Sequence, residues 1–160
     1  MRNEIRTFIF KFYNNTLGYN YTVAKFVANV DPHCTFCTLT QHHELARETP
    51  LHLFYECQTT DNIIGAFFRH IRGVQGEVRR TDYFLTFKYE NNSKNKVLFI
   101  LANLCRYYIW EMKLRKTLPD YREMKKFIQM EVASFMSNVN FRTDYRLSQL
   151  PGLAAEGWPT

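Results

Sequence analysis

The chain has 160 residues, 46% of them hydrophobic and 16% aromatic, with a net charge of +6 and a pI near 9.2. That length suits one domain burying roughly two-thirds of the surface its unfolded chain exposes, and the apolar share excludes wholesale disorder. The longest apolar run, VLFILANLC at 97–105, is too short to span a bilayer, and the opening MRNEIRTFIFKFYNN has charges scattered through its apolar positions, unlike a signal peptide.

In chain order, the apolar positions Ile5, Phe8, Ile9, Phe12, Tyr13 and Leu17 recur at three- and four-residue steps. This spacing predicts an amphipathic helix from Asn3 to Leu17, stopped by Gly18. A second short helix is expected over 21–27, capped by Asn20 and broken at Asp31-Pro32. Thr60 and Asp61 are cap candidates for a third helix, which carries Ile63, Ile64, Phe67, Phe68 and Ile71 to Gly73. Residues 83–87, YFLTF, could form a short strand or pack as an irregular loop. From 94 to 117 an apolar pattern runs six turns without Gly or Pro, and Pro119 ends it. Asp120 then caps a last helix with Met124, Phe127, Ile128, Val132, Phe135 and Met136 on one stripe, and the two helices suggest an antiparallel hairpin. The expectation is a mainly α fold, one helical domain over 1–138 built around a zinc knuckle, followed by a tail at 139–160.

Residues 34–57, CTFCTLTQHHELARETPLHLFYEC, hold three of the four cysteines and three of the five histidines. With no secretory signal the protein is expected inside the cell, in nucleus or cytoplasm, where thiols stay reduced and clustered cysteines favour metal over disulfides. A structural zinc site takes four tetrahedral ligands, commonly three thiolates and an imidazole. Cys34 and Cys37 form a C-x2-C pair, and His52 and Cys57 an H-x4-C pair. Residues five apart in an ideal α-helix are turned about 140° from each other and lie about 7.5 Å apart along the axis, so His52 and Cys57 can share one ion only if their helix ends or distorts. The spacing predicts a short helix from about Pro50 with His52 in its first turn and Cys57 at its last. His42 and His43 compete with His52 as the imidazole ligand, and His33 is disfavoured because it directly precedes Cys34. The bland alternative is that these are core cysteines and satisfied histidines; the second pair, at permitted spacing in the same short stretch, weighs against it. Cys105, on an apolar face, reads as core.

The run DPHCTFC…HLFYEC, with the helix before it and the apolar helix ILANLCRYYIWEMKLRKTLPDYREMKKFI some forty residues later, resembles the C-terminal zinc-binding region of non-LTR retrotransposon (LINE-type) reverse transcriptases over about residues 4–130. The resemblance implies that Cys34, Cys37, His52 and Cys57 are the ligands of one structural Zn²⁺, and that the chain sits beside template RNA, primer or target DNA during reverse transcription. Two features depart from the family. The spacer of fourteen residues between Cys37 and His52 is longer than is common there, and no aspartate pair suited to a polymerase is visible.

Basic residues cluster at 69–80, with four arginines against one glutamate, and at 106–126, with seven Lys/Arg against three acids. An anionic partner, RNA or DNA, is therefore expected, with Arg69, Arg72, Arg79, Arg80, Arg106, Lys113, Arg115 and Lys116 as its contacts. Tyr107 and Trp110 are candidates for stacking on bases, while Tyr108 shares the core stripe. The rival reading is a protein-interaction module, docking to the polymerase portion of a larger polyprotein or acting as a domesticated host protein. An enzyme is the weakest reading, since no nucleophilic triad or phosphate-binding glycine loop is present; no membrane partner is expected.

Overall fold

The computed structural model describes residues 1–41, 45–75 and 93–136. Over these the chain is helical: α1 (Asn3–Tyr13), α2 (Asn20–Val23), α3 (Thr35–Leu39), a π-helical turn (His52–Glu56), α4 (Gln58–Gln75), α5 (Ser93–Leu114) and α6 (Tyr121–Met136). Among the described residues there is no strand, and the one extended pairing is an isolated antiparallel bridge between His33 and Arg47. The expected strand at 83–87 and tail at 139–160 lie outside the described residues.

α5 is the axis of the fold. Every residue from Ile100 to Trp110 is buried, the behaviour of a helix that has neighbours all round and not along one stripe. α1 lies on it through Ile5 and Phe8, with the Phe8 ring 5.5 Å from Tyr107 and 6.2 Å from Trp110. α6 folds back on it through Met124, Ile128 and Val132, and Phe127 stacks on Tyr107 at 5.9 Å. At the turn of this hairpin the Tyr108 hydroxyl donates to the Asp120 carbonyl at 3.1 Å and accepts the Asp120 N–H at 3.2 Å, so one side chain bridges the connection. Phe36, Leu53, Phe54 and Phe67 complete the core and attach the cysteine-rich segment to it.

The helix ends follow local chemistry. Asp120 accepts the Glu123 N–H at 3.0 Å, the expected N-cap of α6. α1 stops earlier than Gly18: Asn15 takes the left-handed conformation (φ 53°), the Asn15 N–H reaches the Phe12 carbonyl, and the Thr16 N–H reaches that of Lys11. Asn tolerates this conformation because its short polar side chain bonds locally. α5 closes in the same way with Lys116 (φ 52°) as its left-handed residue. α4 begins at Gln58, two residues before the expected caps, because Cys57 itself occupies the position preceding its first turn.

Candidate metal centre

Two local structures bring the ligands together. The first is the C-x2-C knuckle. Cys34 precedes α3, and the N–H of Cys37, three residues on, is directed at the Cys34 sulfur. The arms that flank the long spacer are tied by backbone bonds, Cys34 N–H to the Ala46 carbonyl at 2.8 Å and Glu48 N–H to the Pro32 carbonyl at 2.9 Å. The excursion from Cys37 to His52 therefore starts and ends at the same place.

The second is the turn carrying His52 and Cys57. Thr49 caps it by accepting the His52 N–H on its hydroxyl at 3.0 Å, and Pro50 occupies the first helical position, where its missing N–H costs nothing. From His52 the backbone widens to a π-helix, and the Cys57 N–H bonds to the His52 carbonyl at 2.8 Å, five residues back. An i→i+5 bond draws the fifth residue back onto the same side as the first. The distortion that the H-x4-C spacing demands is thus a π turn.

As a result Cys34, Cys37, His52 and Cys57 are all buried, and their ligand atoms lie within 4.8 Å of one another. Cys34 Sγ is 3.9 Å and Cys37 Sγ 4.0 Å from Cys57 Sγ, and His52 Nε2 is 3.4 Å from Cys37 Sγ. The four are close enough to bind one metal ion. The other His52 nitrogen, Nδ1, faces the Glu56 carboxylate at 3.9 Å, the kind of outer partner that orients a ligating imidazole.

The electrostatics favour a thiolate at Cys57. Hydrogen bonding from Cys34, then from His52 and from the Thr60 and Thr59 N–H groups at the start of α4, lowers its pKa well below the ordinary thiol range despite burial. Cys34 is raised because its proton is held toward Cys57 and it is desolvated, and Cys37 is raised by burial and by the charge on Cys57. A cation among the three sulfurs reverses that repulsion.

His42 and His43 lie outside the described residues. His33 is engaged elsewhere, its Nδ1 2.6 Å from Asp31 Oδ1. Cys105 is fully buried mid-helix, as expected for core.

The basic residues divide. Arg69, Arg115 and Lys116 are exposed, Arg72 lies on α4, and Arg79 and Arg80 lie outside the described residues. Arg106 and Lys113 are buried, contrary to the expectation of a solvated basic face. Arg106 lies 4.8 Å over the Phe12 ring and donates to Asn103 at 3.1 Å and to Tyr13 at 3.3 Å. Lys113 pairs with the buried Glu48 at 3.3 Å. Tyr107 and Trp110 are buried too, in aromatic contacts with Phe8, Phe127 and Tyr19, and so do not present free faces to bases.

Glu48 carries no signal in its sequence context. One of its oxygens accepts from the Asn20 N–H at 3.0 Å and Lys113; the other accepts from the Thr35 N–H at 3.0 Å and the Thr35 hydroxyl at 2.8 Å. It ties the first residues of α2 and α3 to the end of α5.

No family model, no curated protein and no solved structure matches this chain.

Proposed function

We propose that the chain is a zinc-stabilised helical module that binds nucleic acid, of the kind found in the C-terminal region of non-LTR retrotransposon reverse transcriptases. The observation that carries this reading is the convergence of Cys34, Cys37, His52 and Cys57 on one point. Tetrahedral zinc with Zn–S near 2.3 Å and Zn–N near 2.0–2.1 Å requires sulfurs about 3.8 Å apart and a sulfur–nitrogen distance of about 3.6 Å. Three of the six separations, 3.9, 4.0 and 3.4 Å, lie near these values and all six are within 4.8 Å, and three thiolates with one imidazole suit zinc over harder ions. A site filled by four protein ligands leaves no position for an activated water, so its role is structural. The HLFYEC run, which carries the retrotransposon resemblance, is the segment that forms the π turn.

Nucleic-acid binding rests on the net charge of +6 and on the exposed Arg69, Arg115 and Lys116. The docking reading draws on Phe26, 84% exposed, and Phe10, 68% exposed. These lie on different parts of the chain, and single exposed apolar side chains are ordinary, so the charge reading is preferred.

Two measurements test the proposal. Elemental analysis of the purified chain should find one zinc per molecule, lost in Cys34→Ser and His52→Ala; zinc retained in both variants would refute the site. Affinity for a single-stranded oligonucleotide should fall steeply with salt, and a flat response would remove phosphate contacts.

A further inference from the structure

Between the metal knuckle and the end of α5 lies a recess of about 460 Å³ whose lining includes Asp31, His33, Thr38 and Leu39 together with Lys113, Leu114 and Lys116. Its size falls within the range of small-ligand sites, roughly 300–1,000 Å³. Its charged groups other than Lys116 have partners, and the Asp31 carboxylate keeps acceptor capacity beyond its bonds to His33. Lys113 is balanced by Glu48, and Asp31 accepts both the His33 N–H at 3.0 Å and the His33 Nδ1–H at 2.6 Å. A carboxylate can only accept, so His33 Nδ1 carries the proton that faces Asp31. The Thr38 hydroxyl donates to the Cys34 carbonyl, leaving its lone pairs as acceptors. Two of the walls are apolar side chains held partly open to solvent, Leu39 at 42% and Leu114 at 56% exposure. Lys116 is an exposed cation of the lining, and its backbone is held where the Lys116 and Thr117 N–H groups close the end of α5 on the Lys113 and Met112 carbonyls.

Acceptors at the Asp31 carboxylate and the Thr38 hydroxyl, the apolar walls and one exposed cation match a heteroaromatic ring that offers N–H donors and carries a phosphate. We propose that this recess takes a single unpaired nucleotide, its base against Leu39 and Leu114 and its phosphate at Lys116. The inference rests on the nucleic-acid reading above and adds where the strand enters and in what form. An unstacked base can be buried with its edge hydrogen-bonded; a base inside a duplex cannot reach such a site. The chain therefore prefers single strands, with the knuckle forming one wall of the base site.

The test uses the full chain supplied with zinc and a fluorescein-labelled eight-nucleotide single-stranded RNA, with affinity measured across a salt series. Leu39→Gln and Leu114→Gln alter exposed side chains and should weaken binding about tenfold with little change in salt slope. Lys116→Asn suits the left-handed backbone and should reduce the slope of log K against log salt by about 0.7, one phosphate contact on a single strand. The same RNA as a duplex should bind more weakly. Equal affinity and slope for wild type and all three variants would overturn the recess while leaving nucleic-acid binding intact. Failure of the wild type to bind either form would sink both.

Discussion

Glu48 is a carboxylate with no solvent exposure, and its buried partner Lys113 donates to the Gly18 carbonyl at 3.0 Å and lies 4.5 Å over the Trp110 ring. Such a pair adds little net stability over an apolar equivalent, but removing one partner leaves the other charge buried and uncompensated. Lys113→Met should therefore cost about 3–5 kcal/mol in denaturant unfolding, while Glu48→Gln/Lys113→Met, which removes both charges, should recover about 1 kcal/mol or more of that loss. A loss below about 0.5 kcal/mol for the single variant, the size of an ordinary surface substitution, would contradict the pairing. Lys113 and Arg106 show where reading a helix by spacing fails. Periodicity locates the most apolar face of α5, but the opposite face is covered by α1, whose Tyr13 meets Arg106, and by the segment around Glu48. These partners are 93 and 65 positions away in the chain, so no local window contains them. The convergence of Cys34, Cys37 and Cys57 was legible for the opposite reason: cysteines are rare and short spacings state the geometry, whereas spacing left His42 and His43 open beside His52.

The elements are set by small end effects that the sequence writes openly in some places and conceals in others. Asp120 follows Pro119 and precedes an apolar stripe, and it caps α6 as that pattern implies. Asp120→Ala should cost about 1 kcal/mol, in line with loss of an N-cap. Asp120→Asn, which keeps an acceptor, should restore most of it, and equal loss in both variants would show that the carboxylate acts through its charge on the helix end instead. The Tyr108 hydroxyl bonds to the Asp120 backbone and not to its side chain, so it is unaffected by either change. Gly18 misleads as the stop for α1 because glycine is only the commonest left-handed residue, and Asn15, three positions earlier, serves as well. Between His52 and Cys57 the H-x4-C spacing by itself demands a distortion, since no regular α-helix lets residues five apart share an ion. Spacing does not say which distortion, and the backbone meets the demand by widening into a π turn over His52–Glu56.

At the scale of the whole molecule the chain has two kinds of stability. α1, α5 and α6 bury Ile5, Phe8, Leu101, Leu104, Ile109, Met124, Ile128 and Val132, none of them a metal-site residue, in the common core. Among the described residues from Asn20 to Cys57, the helical elements are a four-residue helix, a five-residue helix and a π turn. Helices so short do not persist alone in water, so their order rests on attachment at Phe36, Leu53 and Phe54 and, on the proposed reading, on an ion held by Cys34, Cys37, His52 and Cys57. Binding energy at a structural zinc site is folding energy for whatever the site organises. Chelation should therefore remove hydrogen-exchange protection from the Cys34, Cys57 and Glu48 amides, whose bonds run to Ala46, His52 and Pro32, while amides in the middle of α5 and α6 keep theirs. Lys113 should respond with the knuckle and not with the core, because freeing Glu48 strands its ammonium at the end of α5. Simultaneous loss of protection throughout would mean that the ion holds the entire domain and that the helical core has no stability of its own; unchanged protection at Cys34 and Cys57 would mean that no ion organises them.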